Sequence, residues 1–251
     1  MSSSLKQKTI SGLIWSFIDS IAGQGISFIV GIILARLLSP KEFGLIGMLT
    51  IFIAISQSFI DSGFRQALIR KQDCTQTDYS TVFYFNIAVG VAFYILLFAF
   101  ANSISNFFHE PVLKELIKVL GLALIINSFT MIQSTLLTKR IDFKLQAKIS
   151  IIASLISGII SIYMAYTGLG VWSLVALTLI KYATNSILLW YWNKWKPALL
   201  FSKKSFKELF SFGSNLLVSG LIDTIYRNIY YVIIGKYFTA VELGYYTRAE
   251  Q

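Results

Sequence analysis

Cysteine is nearly missing from this sequence. Cys74 stands alone among 251 residues, so no disulfide framework and no cysteine-built metal cluster holds the chain together. Histidine also occurs once, as His109 beside Glu110 and Pro111, and one such ligand is too few for a metal site. Charge is scarce: 14% of the residues are charged, against roughly a quarter in an ordinary soluble domain. There is no G-x-x-x-x-G-K-[ST] and no G-x-G-x-x-G loop, so nothing points to nucleotide hydrolysis or a bound nucleotide cofactor. No other cofactor is indicated.

Apolar residues fill that space. They make up 55% of the chain, more than a soluble core can absorb. They come in runs of about 20, the length that carries a helix across roughly 30 Å of hydrocarbon. The runs lack the period-2 alternation of barrel strands, and in lipid the other way to satisfy every backbone amide is a helix. The sequence therefore predicts an all-α, polytopic membrane bundle. Helices are predicted near Gly12–Leu34, Phe43–Phe59, Thr81–Ala101, Leu116–Leu137, Ile149–Tyr166, Val171–Tyr191 and Gly213–Gly235, with an eighth beginning near Leu243. The second is short for a span. The first follows Lys6 and Lys8, but its apolar run is far longer than a signal core and no small-x-small site follows it.

Lys and Arg in the connecting loops are unevenly divided. With the N-terminus inside, one face collects fourteen, among them Lys6, Lys8, Arg65, Arg70, Lys71, Lys139, Lys148, Lys194 and Lys207; the other collects five, Arg36, Lys41, Lys114, Lys118 and Lys236. By the positive-inside bias the N-terminus and the 193–212 connection are cytoplasmic. The net charge of +10 is then a topology signal plus attraction to anionic membrane lipids, and needs no nucleic acid.

A repeat organises the chain. Ile33-Leu34-Ala35-Arg36-Leu37-Leu38-Ser39-Pro40-Lys41-Glu42-Phe43-Gly44 returns 200 residues later as Ile233-Ile234-Gly235-Lys236-Tyr237-Phe238-Thr239-Ala240-Val241-Glu242-Leu243-Gly244. Six helices then form one unit and the seventh opens a second in the same orientation, a plan used by secondary transporters. The expected division is a six-helix lobe over 1–192, a cytoplasmic linker over 193–212 and the start of a second lobe over 213–251. This implies the N-terminal part of a protein of about twice the length. Within the linker, Phe201, Phe206, Leu209, Phe210 and Phe212 alternate with Lys203, Lys204, Lys207 and Glu208, which suits either an amphipathic interfacial helix or an unstructured basic linker.

Several ordered segments carry a resemblance. Ala67-Leu68-Ile69-Arg70-Lys71-Gln72-Asp73, Ser80-Thr81-Val82-Phe83-Tyr84-Phe85-Asn86, Gly168-Leu169-Gly170-Val171-Trp172-Ser173-Leu174-Val175-Ala176, and Arg227-Asn228 with Leu243-Gly244-Tyr245-Tyr246 resemble the polysaccharide (O-antigen) flippases. These belong to the multidrug/oligosaccharidyl-lipid/polysaccharide exporter superfamily. The resemblance implies two six-helix bundles around a central cavity. It also implies transfer of a polyprenyl-diphosphate-linked oligosaccharide between the leaflets of a bacterial inner membrane. Where many members carry an Asp shortly after the Arg-Asn pair, this sequence has Tyr230 and Tyr231, so a cation ligand at that turn does not carry over.

Ionisable groups at bilayer depth are costly unless they face protein or water, which makes them functional candidates. Lys181 and Arg227 are the expected ligands for the diphosphate and acidic head group. Asp19, Asp223, Asn185 and Asn228 are candidates for cavity lining or for a coupling cation. Asp223 and Arg227 can instead pair with each other at i, i+4. On the first helix Gly12, Ser16, Asp19, Ser20, Gly23, Gln24, Ser27 and Gly31 share one face, read as a helix-packing stripe. Tyr163, Tyr166, Trp172, Trp190, Tyr191, Trp192 and Trp195 cluster at helix ends as interfacial belts. The alternatives to a flippase are an ion-coupled multidrug exporter, which needs unpaired intramembrane acids, and a membrane glycan polymerase, ligase or glycosyltransferase. Enzymes of that kind need acids and bases gathered on a large external loop, and the loops here are short. No catalytic residue and no metal ligand is expected.

Overall fold

The computed structural model describes residues 2–61 and 63–250, with side chains from Ile10 onward. The side chains of Lys6 and Lys8, counted in the topology argument, lie outside the described ones. Among the described residues there are ten helices and no strands: α1 (Ser2–Leu37), α2 (Pro40–Asp61), α3 (Phe64–Arg70), α4 (Gln76–Phe108), α5 (Leu113–Leu120), α6 (Leu122–Lys139), α7 (Phe143–Tyr166), α8 (Val171–Asn193), α9 (Lys203–Tyr237) and α10 (Ala240–Glu250). Seven helical stretches are long and apolar enough to cross a membrane, with α2–α3 and α5–α6 each making one.

The helices outrun their predicted apolar cores because polar caps lengthen them. Ser39 N and Oγ both donate to Glu42 Oε2, at 2.5 and 3.0 Å, and start α2 at Pro40, so this span is a full 22 residues. Thr75 and Asp78 form a reciprocal capping box that starts α4 at Gln76. Ser202 Oγ accepts from Ser205 N at 3.2 Å and starts α9 ten residues ahead of Gly213. Of the expected linker, residues 194–202 are irregular and 203–212 are the first three turns of α9. The division expected near Gly213 thus falls inside a continuous helix.

The helix α2 is the hub. It packs against α4, α6, α8, α9 and α10. Its buried Leu45, Met48, Leu49 and Ile60 join Leu113, Leu116 and Ile117 of α5 and Leu243 of α10 in the largest apolar cluster. The helix α1 lies against α7, where Gly158 leaves room for Val30. Among the described residues its small polar stripe, expected to pack, is largely uncovered. Ser16, Ser20, Gln24 and Ser27 are exposed, Gly23 and Gly31 have nothing within 4 Å of a would-be Cβ, and of the stripe Gly12 alone is buried. Val30, Leu34 and Leu38, from outside the stripe, are buried instead. The side of a lone helix that meets a partner depends on where the partner sits, which its own periodicity does not encode.

The repeat is expressed at two levels. Locally, Thr239 N and Oγ1 donate to Glu242 Oε2, at 2.7 and 3.0 Å, repeating the Ser39–Glu42 cap 200 residues on. Across the interface, α2 and α10 meet reciprocally. A Cβ on Gly44 would overlap the Ala240 carbonyl, and a Cβ on Gly244 would overlap the Pro40 carbonyl. One turn further Gly47 faces Thr247, Met48 packs on Gly235, and Arg248 donates to the Ala35 carbonyl. Each contact maps onto another, or onto itself, when 200 is added to one number and taken from the other, as a two-fold relation between the repeats requires.

Candidate functional site

At the end of the bundle where α3, α6 and α9 have their basic loops, polar contacts tie the helices together. Lys71 Nζ lies 3.3 Å from Asp78 and 3.1 Å from Glu208, joining α4 to α9. Burial opposes the Lys71 ammonium, but Glu208 and Asp78 outweigh it and hold the group above the ordinary lysine range. Lys139 of α6 donates to the Leu68 and Lys71 carbonyls that close α3. Asn193 joins Gln133 at 2.8 Å and Arg140 at 3.1 Å. At the opposite end Lys41 pairs with Glu110 at 3.2 Å, and Lys236 donates to the Phe107 carbonyl at 2.7 Å, lashing α9 to the end of α4. A cavity of about 610 Å³ opens there between Asn102, Ser105, Asn106, His109, Pro111 and Lys114.

The expected intramembrane candidates fall between these ends. Lys181 lies ten residues into α8 and Arg227 ten residues before the end of α9. At 1.5 Å per residue both sit roughly 15 Å from the same end. Both are exposed on the described surface, and both helices pack on α2. Arg227 Nε donates to Asp223 Oδ1 at 2.9 Å with the two side chains 73% and 57% exposed, so the i, i+4 pairing foreseen as an alternative does form. Lys181 has no ion pair or hydrogen bond among the described residues. Asn185, one turn on, is half-buried.

Asn228 turns back on its own helix. Its Nδ2 donates to the Thr224 carbonyl at 2.8 Å, while Thr224 Oγ1 lies 2.9 Å from Ser58 Oγ and pins α9 to α2. Asp19 is half-buried on α1, with Oδ1 shielded from solvent and unpartnered. The α9 seam of Asn215, Ser219, Asp223 and Arg227 is exposed, yet Tyr231, next in the series, is buried against Gly47 and Tyr246. A step of four residues overshoots a 3.6-residue turn by about 40°, so after four steps the seam has moved to the opposite side.

Sequence reasoning missed one cluster. Asp61 Oδ1 and Arg65 Nε are both shielded from solvent without a hydrogen-bond partner, and one turn back on α2 Asn127 Nδ2 donates to Gln57 Oε1 at 2.5 Å. With the second helix ended at Phe59, Asp61 read as loop and Arg65 as one of the loop charges. The i, i+4 spacing of Gln57 and Asp61 was the available signal.

Seven membrane-length helices and a reciprocal internal repeat define a polytopic, repeat-built membrane protein. Residues 33–251 match the family described as polysaccharide biosynthesis protein, and the chain belongs to that family. It is similar to the teichuronic acid biosynthesis protein TuaB of Bacillus subtilis, at 30% identity over 99% of this chain and 52% of the relative. It is also similar to the lipopolysaccharide biosynthesis protein WzxC of Escherichia coli, at 25% over 98% and 50%, and to the succinoglycan biosynthesis transport protein ExoT of Rhizobium meliloti, at 24% over 100% and 51%. The chain spans about half the length of these curated relatives. No solved structure matches it.

Proposed function

We propose that this chain forms one side of a route by which a polyprenyl-diphosphate-linked oligosaccharide passes from the inner to the outer leaflet of a bacterial inner membrane, with its N-terminus and basic loops in the cytoplasm. The observation that carries this reading is the matched depth and exposure of Lys181 and Arg227. A cation exposed on a bundle surface roughly 15 Å below its end is too deep to snorkel cheaply and faces lipid only at a cost of several kcal/mol. These two therefore face water or an anionic ligand. The diphosphate of a lipid-linked sugar supplies that ligand: Arg227 offers a planar fork to phosphate oxygens, and Lys181 a mobile point charge. Asp223 holds Arg227 in the absence of substrate and is displaced when phosphate binds. The names of TuaB, WzxC and ExoT, which speak of teichuronic acid, lipopolysaccharide and succinoglycan biosynthesis and, for ExoT, of transport, support the same substrate class. Binding and translocation on this reading need no catalytic residue.

The test is glycan-export complementation with normal membrane levels of protein verified. Lys181→Ala and Arg227→Ala abolish export and Lys181→Arg retains part of it. Wild-type export by both alanine variants removes the binding role, and loss of both from the membrane makes the residues structural.

A further inference from the structure

The connection between α8 and α9 is neither of the forms its sequence allows, a helix or a free linker. Residues 194–202 are irregular yet fastened. Gln76 Nε2 donates to the Lys196 carbonyl at 2.7 Å, and Gln76 Oε1 accepts from Trp195 Nε1 at 2.8 Å. Gln133 Nε2 donates to the Trp195 carbonyl, and the Ala198 and Ser202 amides donate to Ser80 Oγ and Thr81 Oγ1, each at 3.0 Å. Ser80, Thr81 and Gln133 are fully buried, so these anchors belong to the bundle itself. The stretch is a strap bound along the first turns of α4. That helix has 33 residues and is about 50 Å long, so it overreaches the hydrocarbon. Ser80 and Thr81 lie four and five residues into it, which holds the strap about 6–8 Å below its end, where the apolar run starts.

What the strap presents outward has two parts. The Leu200 amide donates to the Ala198 carbonyl at 2.7 Å, closing a three-residue turn with Leu199 at its tip. Leu199 is 93% exposed, and Leu200 and Phe201 beside it are exposed too. Flanking the tip in sequence are Lys194, Lys196, Lys203, Lys204 and Lys207, all exposed, and none of their ammonium groups has a hydrogen bond or ion pair among the described residues. No acid occurs from 194 to 207, and the next one, Glu208, is taken by Lys71. Lys203, Lys204 and Lys207 also crowd the first two turns of α9, the helix end whose dipole repels cations. An apolar tip at the hydrocarbon boundary, flanked by ammonium groups that lack a counterion, matches acyl chains on one side and phosphate on the other. An aqueous protein partner would have to reach past the end of α4 to meet it.

We propose that residues 194–207 form a seat for anionic phospholipid of the leaflet at this end of the bundle, with Leu199, Leu200 and Phe201 inserted at the acyl boundary and the five lysines holding headgroup phosphates. The seat lies at the junction of the two repeats. It depends neither on the translocation reading nor on which leaflet this is.

The test uses the full chain reconstituted in vesicles of phosphatidylcholine and phosphatidylglycerol, with the small label bimane on Leu199→Cys in a Cys74→Ser background. Acyl-brominated lipid quenches the label and the neutral aqueous quencher acrylamide does not; quenching by acrylamide alone means that the tip stands in water, and overturns the proposal. At equal mole fractions brominated phosphatidylglycerol quenches more than brominated phosphatidylcholine, and salt weakens the difference. Each lysine near an anionic surface is worth about five-fold in lipid preference. The triple variant Lys203→Gln/Lys204→Gln/Lys207→Gln, at the wild-type level in the membrane, therefore loses most of the preference while the tip remains inserted. Equal quenching by the two lipids without these substitutions refutes the seat, as does full preference in the triple variant. If inorganic diphosphate abolishes the preference at constant ionic strength, the lysines form a site for soluble diphosphate and the lipid assignment is overturned. Should the triple variant fail to reach the membrane, the salt dependence decides alone, and a salt-independent preference refutes the proposal.

Discussion

Adding one methyl group at Gly44 or at Gly244 sets the repeat interface against itself. A Cβ on Gly44 runs into the Ala240 carbonyl and a Cβ on Gly244 into the Pro40 carbonyl, and backbone atoms cannot swing aside as a side chain would. The helices must part. Overpacking of this kind costs about 1–3 kcal/mol, and separation also loosens the Gly47–Thr247 and Gly235–Met48 contacts one turn along. A cost of about 2 kcal/mol changes the folded-to-unfolded ratio by roughly 30-fold. Because the contact is reciprocal, the parting forced by the first alanine makes room for the second. The double variant Gly44→Ala/Gly244→Ala therefore costs less than the sum of the singles, by about 1 kcal/mol. Gly220→Ala is the control: its Cβ meets nothing within 4 Å, so the same substitution is neutral or stabilising by up to about 1 kcal/mol through helix propensity. Equilibrium unfolding of the detergent-solubilised protein measures all four. The reasoning is refuted if Gly44→Ala is as harmless as Gly220→Ala, or if the two costs add.

Two further outcomes follow from the polar ends of the bundle. Lys71→Met leaves the Asp78 carboxylate, whose side chain is 2% exposed, without its cation and destabilises by about 1–3 kcal/mol; Glu208→Ala, at a side chain 56% exposed, costs no more than about 1 kcal/mol, and equal melting-temperature losses would contradict this ranking. In intact cells and a Cys74→Ser background, an impermeant thiol reagent labels Asn106→Cys and spares Lys204→Cys, both positions being exposed; the reverse pattern inverts the proposed orientation.

What the sequence alone determined is the class of structure and its internal symmetry. Runs of about 20 apolar residues leave the backbone no option in lipid but helices, so the seven spans were legible from composition and length. Recurrence of hydroxyl, acid and glycine at 39, 42 and 44 and at 239, 242 and 244 marked the two segments as repeats; that the hydroxyl and acid form paired caps and that the glycines meet the opposite repeat's backbone came from the structure. Depth along a helix is likewise a matter of counting, and it put Lys181 and Arg227 at one level before any fold was known. Partnership is not a matter of counting. That α1 buries Val30 and Leu34 and leaves Ser16, Ser20, Gln24 and Ser27 exposed, that α9 begins at Lys203 and rests on Gly63, and that Asp61 Oδ1 and Arg65 Nε are shielded without partners were decided only by tertiary structure. The pattern along a chain records what each residue is and how deep it lies. Which neighbour meets it depends on how separate helices are packed, and that is set by the whole bundle at once.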